Sequence, residues 1–197
     1  MIGVDFNMAK KVKVKKKEWK KEISVVNIVV STSMEKAIPL EKMAATLSNT
    51  EYNPEQFPGL VIRIKEPKTS ALIFSSGKVV CTGARSMDKV EESIKKIIKS
   101  LEKIGIKVTI KPEIKIQNIV ASGNIGKDLN LNTLAMKLPN TEYEPEQFPG
   151  LVYKLAEAKA TFLLFSNGKI VCTGTKSEKE VKEALDKLIE HLKKIVK

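Results

Sequence analysis

The chain contains one long motif twice, at a constant spacing of 91 residues. Residues 51–59 read EYNPEQFPG, and residues 142–150 read EYEPEQFPG. The triplet Asn-Ile-Val recurs at the same spacing, starting at Asn27 and again at Asn118, and no gap separates the matches. A period this long excludes a solenoid built from short repeats. The sequence therefore predicts two similar halves related by a pseudo-two-fold axis.

The repeat divides the chain into three parts. We expect a basic N-terminal extension at residues 1–21, a first repeat at 22–106 and a second repeat at 107–197. The net charge is +12, and the first 24 residues carry eight lysines against three acidic residues. Such a balance favours a polyanionic partner, because each neutralised phosphate releases counterions. Lysine-rich surfaces also serve solubility, so charge leaves the function open.

Each half begins with a β-branched, apolar segment that predicts a strand, at residues 23–32 and again at 114–122. A short helix follows, starting near Pro39 in the first half and covering 131–138 in the second. The Asn-Pro-Glu and Phe-Pro-Gly elements of the long motif are typical of turns around an exposed loop.

Three strands and a long amphipathic helix complete each half. In the first half the strands cover 60–65, 71–75 and 78–83, and Ser-Ser-Gly-Lys between the last two is a hairpin signal. Val90, Ile94 and Leu101 then recur at helical spacing. This order predicts an α+β fold with one antiparallel sheet across both halves and helices on one face.

The face of the sheet without helices is also apolar. Alternation places Ile28 and Val30 toward the helices, and Asn27, Val29 and Ser31 on the opposite side. An antiparallel sheet with one wet face normally alternates apolar and polar residues. Self-association or a ligand-binding surface would each explain this face. Nearby cations favour an anionic ligand: Arg63, Lys65, Lys78, Lys154 and Lys169.

Several function classes lack the residues they need. No apolar run approaches the ~20 residues of a membrane-spanning helix, and no secretory signal precedes the repeats. Zinc normally takes four Cys or His ligands, whereas we expect Cys81 and Cys172 to be buried strand residues. His191 is the one histidine, and the Lys-rich face of its helix indicates a solvated position. We therefore expect a non-enzymatic protein with no membrane association, cofactor or metal.

The doubled motifs resemble those of the TATA-box-binding protein family of archaeal-type general transcription factors. The matching elements are Asn-Ile-Val, Tyr-x-Pro-Glu-x-Phe-Pro-Gly-Leu, Leu-Ile-Phe or Leu-Leu-Phe, and Gly-Lys-x-Val-Cys-Thr-Gly. They recur twice with constant spacing and cover the chain from residue 23 onward. The resemblance implies two pseudo-symmetric repeats that form a saddle, with a curved sheet of about ten strands. Its concave face would lie on DNA and its helices on the convex face.

The resemblance also implies roles for individual residues. The aromatic pairs that wedge into the base stack would be Phe57 with Phe74, and Phe148 with Phe165. The minor-groove contacts would be Asn27, Val29, Leu72, Val80, Thr82, Asn118, Val120, Leu163, Val171 and Thr173. Phosphates would be held by Arg63, Lys78, Lys154 and Lys169. The B-type general transcription factor would contact Glu144, Glu146 and Gln147.

The implied partners are double-stranded A·T-rich promoter DNA, the B-type factor and, through the preinitiation complex, RNA polymerase. Free protein could form a homodimer through the apolar face. The implied location is the cytoplasm of an archaeal-type cell, at the nucleoid, or the nucleus of a eukaryote. An RNA-binding sheet is the alternative, although two distant aromatic pairs with aliphatic groups between them suit a duplex groove better.

Overall fold

The computed structural model describes residues 18–196, so the lysines of the extension up to Lys17 lie outside the described residues. The first repeat consists of β1 (Glu22–Ser33), α1 (Leu40–Thr46), β2 (Thr50–Glu51), β3 (Gly59–Ile64), β4 (Thr69–Phe74), β5 (Lys78–Ala84) and α2 (Met87–Lys103). The second consists of β6 (Lys115–Asn124), α3 (Leu131–Lys137), β7 (Thr141–Glu142), β8 (Leu151–Leu155), β9 (Ala160–Leu164), β10 (Lys169–Thr175) and α4 (Glu178–Ile195). A 3₁₀ turn, Ala156–Ala158, joins β8 to β9.

All ten strands belong to one antiparallel sheet, in the order β2-β3-β4-β5-β1-β6-β10-β9-β8-β7. The two repeats meet at the centre, where β1 and β6 pair with Ile28 opposite Ile119 and Asn27 opposite Val120. This arrangement confirms the expected α+β fold with one curved sheet shared by both halves. Strands β2 and β7 have two residues each, too few for the alternation that identifies a strand from sequence.

The helices cover one face of the sheet, and the core lies between them. Ile28 and Val30 of β1 are 3% and 0% exposed, as strand alternation predicts for the helix-facing side. On the opposite side, Asn27 and Val29 remain half-buried. The amphipathic faces of α2 and α4 contribute buried Val90, Ile94, Ile97, Leu101, Val181, Leu185, Leu188, Ile189 and Leu192.

Serine caps begin both long helices. Ser86 Oγ accepts a hydrogen bond from Lys89 N, and Ser177 Oγ accepts one from Glu180 N at 3.1 Å. The Glu180 carboxylate in turn accepts from Lys176 N at 2.8 Å. Each cap satisfies a backbone N–H that has no partner inside its helix.

Glycine is required in the hairpins that join the last two strands of each repeat. Gly77 and Gly168 have φ of +87° and +78°, in the region that residues with a Cβ rarely adopt. A Cβ at either position would lie 2.3 Å from the carbonyl oxygen of Lys36 or Lys127. Each hairpin therefore packs directly against the loop that follows the first strand of its repeat. Within residues 18–196, no helix is long and apolar enough to span a membrane.

Candidate nucleic-acid interface

The sheet face opposite the helices has an apolar floor. Its side chains are half-buried because one side contacts the sheet and no described element covers the other. Cross-strand neighbours place Leu72 beside Val61 and Val80, and Leu163 beside Val152 and Val171. The predicted residues on this floor are Val29, Leu72, Val80, Val120, Leu163 and Val171. Sequence analysis missed Val61 and Val152, which the alternation of β3 and β8 could have identified.

Two polar pairs interrupt the floor near the junction of the repeats. Asn27 Oδ1 accepts from Gly83 N at 2.7 Å, and Asn27 Nδ2 donates to Thr82 Oγ1 at 3.1 Å. Asn118 makes the same contacts, with Gly174 N at 2.8 Å and Thr173 Oγ1 at 2.9 Å. The glycine N–H determines which way each amide faces, so each Nδ2 keeps a second N–H for another acceptor.

An aromatic pair lies at a strand end of each repeat. Phe57 and Phe74 pack edge to face with ring centroids 5.9 Å apart, and Phe148 and Phe165 do the same at 5.8 Å. The loop rings, Phe57 and Phe148, are 43% and 40% exposed. Large aromatic side chains are rarely this exposed in a folded domain without a binding partner. The fold therefore brings together both pairs that the sequence analysis named.

Two of the four predicted phosphate-binding cations are paired with carboxylates from the neighbouring short strand. Arg63 donates from Nε and Nη2 to Glu51 at 3.0 and 3.1 Å, and Lys154 Nζ lies 2.6 Å from Glu142. The guanidinium lowers the pKa of Glu51, first through the hydrogen bond and then through its charge. Glu51 is therefore ionised at neutral pH, and protonation of the carboxylate in acid would weaken its pair with Arg63.

Lys78 and Lys169 begin β5 and β10 and are exposed, with no ion pair to any residue between 18 and 196. The fold adds two cations that the sequence analysis missed. Lys68 and Arg85 line the same cleft as Asn27 and Thr82. Both lie outside strands, where alternation predicts nothing. Their position depends on the close approach of the β3–β4 turn to Gly83, whose added Cβ would lie 3.0 Å from the Lys68 carbonyl oxygen.

The loops that carry Phe57 and Phe148 share a backbone but differ in charge. Phe57 N donates to the Asn53 carbonyl oxygen at 3.0 Å, and Phe148 N donates to that of Glu144 at 2.9 Å. Gln147 Nε2 also donates to the Glu144 carboxylate at 3.3 Å. Glu144, Glu146 and Gln147 are all exposed. The second loop therefore presents a carboxylate where the first has the neutral amide of Asn53.

The described residues contain no group of three or more His, Cys, Asp or Glu side chains arranged to hold a metal. Burial raises the pKa of Cys81 and Cys172 to about 11, so neither thiol is activated. His191 is partly exposed, with 29% of its side-chain surface accessible, and it has two polar neighbours that the sequence analysis did not identify. Its Nδ1 lies 2.8 Å from the Tyr153 hydroxyl and its Nε2 lies 3.2 Å from Glu157, because α4 packs over the end of β8.

An open apolar sheet face, shared by two repeats and bounded by aromatic pairs and cations, is the geometry of a non-enzymatic binding surface formed by the sheet itself. Comparisons with known proteins agree with this class. The family model described as transcription factor TFIID, or TATA-binding protein, matches residues 22–104 and 113–195. The chain therefore belongs to the TATA-binding protein family of general transcription factors.

Similar proteins occur in several archaea. The chain is 53% identical to the TATA-box-binding protein of Methanocaldococcus jannaschii over 174 residues, covering 88% of this chain and 95% of that protein. It is 51% identical to the protein of the same name from Picrophilus torridus, covering 88% of this chain and 96% of the other. The solved structure of Methanococcus jannaschii TBP superposes with a TM-score of 0.83, at 53% identity over 88% of this chain and 99% of that chain.

Proposed function

We propose that this protein binds A·T-rich promoter DNA in the minor groove through the uncovered sheet face. The observation that carries the proposal is the largely apolar floor between the two aromatic pairs, interrupted only by the Asn–Thr pairs near its centre. In the minor groove, A·T pairs present only acceptors, whereas guanine adds an amino group that projects into the groove. An apolar floor accommodates A·T pairs, whereas the guanine amino group of a G·C pair would collide with it. The free N–H groups of Asn27 and Asn118 suit the acceptors of adenine and thymine.

The aromatic pairs would kink the duplex at each end of the site. Phe57 and Phe148 already project from their loops, and a partly unstacked base step offers each ring an apolar contact that water does not. Unstacking costs roughly a few kcal/mol per step, which the wider contact with a bent duplex offsets. Kinking of the minor groove by inserted apolar side chains is known for TATA-binding proteins. Family membership and the positions of the rings support the same role for the aromatic pairs here.

Cations at the edge of the face would hold phosphates without reading sequence. Lys78 and Lys169 are exposed and unpaired among the described residues, and in the first repeat Lys68 and Arg85 add cations near the opposite end of β5 from Lys78. Arg63 and Lys154 would exchange a carboxylate for a phosphate on binding. The proposed phosphate contacts thus differ in binding free energy, because Arg63 and Lys154 must first break an ion pair.

The second-repeat loop is the proposed contact for the B-type general transcription factor. Glu144 and Glu146 lie beside a face that we expect to hold phosphates, where a carboxylate repels DNA and attracts a basic protein surface. Assembly with this factor would recruit RNA polymerase to the promoter, at the nucleoid of an archaeal-type cell. In free protein, a second copy would compete with DNA for the same apolar face.

A duplex of about 20 base pairs with a dye at each end tests this function. Anisotropy reports binding and energy transfer reports bending, for a TATA sequence and a G·C-rich scramble at equal salt. We expect tight binding and shortened end-to-end distance with the TATA duplex only. Equal, salt-sensitive binding to both without bending would reduce the protein to a generic polyanion binder. Equal competition by single-stranded RNA would favour the RNA-binding alternative.

A further inference from the structure

The uncovered sheet face differs between the repeats at the junction where they meet. Strands β1 and β6 pair with Ile28 opposite Ile119, and these two residues are 91 apart, so the pseudo-two-fold axis passes between them. One residue is left out of the pairing on each side of this position, Val26 in β1 and Gln117 in β6. These two residues are also 91 apart. The same backbone irregularity thus presents an apolar side chain in one repeat and an amide in the other.

The bulge in β6 places the Gln117 side chain on the uncovered face. An extra residue in a strand interrupts the alternation of faces and redirects a side chain. Ile116 packs against the core, and Asn118 belongs to the uncovered face. Gln117 is exposed, and its Nε2 donates to the hydroxyl of Ser31 at 2.7 Å. Since Ser31 lies on the uncovered face of β1, the amide lies there as well.

Val26 occupies the corresponding place in the first repeat. It is half-buried and lines the cleft that contains Asn27 and Thr82. The counterpart of Ser31 in the second repeat is Ser122, to which a valine side chain cannot donate a hydrogen bond. Turning the protein end for end on a duplex therefore exchanges an amide for an apolar group against the same bases.

The amide of Gln117 supplies an acceptor that the apolar floor lacks. Its Oε1 accepts no hydrogen bond from any residue between 18 and 196, while the bond from Nε2 to Ser31 holds the head group in place. The donor that G·C pairs add to the minor groove is the guanine amino group. Against Val26 this amino group would lose its water without gaining a partner, which disfavours binding.

We propose that Gln117 is a specificity-determining residue that accepts a hydrogen bond from the amino group of a guanine near the centre of the DNA site. Val26 excludes guanine from the corresponding place. The inference rests on the proposed function and deepens it, because it assigns part of the choice of binding orientation to the sheet face. An A·T-rich site with one G·C pair beside its centre is then bound with the guanine against Gln117.

The test uses a palindromic A·T-rich duplex and a set of duplexes with one G·C pair at each position of one half in turn. The two orientations on the palindrome are equivalent, so any preference comes from the G·C pair. An iron–EDTA reagent on Ser76→Cys reports orientation by cleaving one end of the site, since Ser76 is exposed and both native cysteines are buried. With the G·C pair beside the centre, we expect a two- to tenfold excess of cleavage at one end, roughly the range of one hydrogen bond.

Matched variants separate this role from a structural one. Exchanging the two side chains, with Val26→Gln and Gln117→Val in one protein, should move the excess cleavage to the other end. Either substitution alone makes the two bulges alike and should give equal cleavage at both ends. A residue that only supports the fold would not reverse the orientation. Inosine lacks the amino group of guanine, so an I·C pair at the same position should remove the preference.

The proposed function and the role of Gln117 fail in different ways in this experiment. If the protein binds the palindromic duplex no more tightly than a G·C-rich duplex at equal salt, the proposed function is wrong. If it prefers the palindrome but cleaves both ends equally wherever the G·C pair lies, only the role of Gln117 is wrong. A preference that persists with inosine, or that the exchange of side chains does not reverse, also overturns that role.

Discussion

At the scale of single residues, the candidate interface combines ordinary sheet positions with two aromatic pairs, of which Phe57 and Phe148 are exposed. Phe162 of β9 is fully buried, and it shows where a phenylalanine of this protein lies when it serves the core. Phe57 and Phe148 instead lie beside glycines whose added Cβ would be 2.7 and 2.6 Å from the ring. The small residues at positions 59 and 150 therefore allow each ring to pack across its partner.

The wedge assignment predicts a specific defect. In the double variant Phe148→Ala and Phe165→Ala, we expect energy transfer between the ends of a bound TATA duplex to fall toward the value of free DNA. Binding to a G·C-rich duplex should change less than twofold, because the cations are unaffected. The measurement is the same dye-labelled titration.

Met136→Ala is the control for the wedge variant. Met136 is an exposed apolar side chain, 79% accessible, on helix α3 and away from the sheet face. Its removal should leave bending unchanged. Full bending by the Phe148 and Phe165 variant would remove the wedge assignment, whatever the affinity.

At the scale of elements, the short strands β2 and β7 position a carboxylate against the cation of the next strand. Thr50 and Glu51 pair with Ile62 and Val61, which brings Glu51 to Arg63. Both side chains are well exposed, so the pair contributes little to stability. The pair would instead affect DNA affinity, because Glu51 neutralises the Arg63 cation that we propose binds a phosphate.

We therefore expect Glu51→Gln to tighten binding of a TATA duplex roughly two- to fivefold, the range of an exposed ion pair. The amide cannot hold the guanidinium as strongly, so a phosphate takes Arg63 with less competition. Titrations at several salt concentrations measure the effect, which should diminish at high salt.

Glu55→Gln is the matched control, since Glu55 lies in the loop that follows β2 and has no cation partner among residues 18–196. Equal tightening by Glu55→Gln would indicate a general charge effect. Weaker binding by Glu51→Gln would show that Glu51 orients Arg63 toward the phosphate.

At the scale of the whole molecule, one sheet joins the repeats into a single structural unit. The β1–β6 pairing extends from Glu22 opposite Asn124 to Ser31 opposite Lys115, and the core is contiguous under it. Opening one repeat would remove a neighbour from the central strand of the other. We therefore expect both repeats to unfold together.

The two cysteines report on this cooperativity, one in each repeat. Cys81 and Cys172 are 1% and 0% exposed, and burial raises each pKa to about 11. At pH 8 only about one thiol in a thousand would be ionised. We expect both to react with a thiol reagent at one common, slow rate that increases with urea in parallel with global unfolding.

Ser76→Cys provides the exposed reference thiol, which should react at once. A faster phase for Cys172 than for Cys81 would contradict a single unit and show that the second repeat opens independently.

The raised pKa of the two buried thiols also makes the stability of the fold depend on pH. An unfolded thiol ionises from about pH 9, so the free energy of unfolding should fall as the pH rises from about 9 to 11.

The sequence by itself determined the two repeats and the strand alternation. These features depend on local spacing: β-branched alternation assigns Val29 and Ile28 to opposite faces wherever the strand lies. The resemblance to a family supplied the strand count and the residue roles. Tertiary structure alone decided which charged and polar side chains come into contact. Residues from separate elements meet in the Glu51–Arg63 pair, in the cleft that Lys68 and Arg85 share with Asn27, and in the contacts of His191. Trp19 lies beside the second repeat for the same reason, because its partners follow it by about a hundred residues and only the packed sheet brings them together.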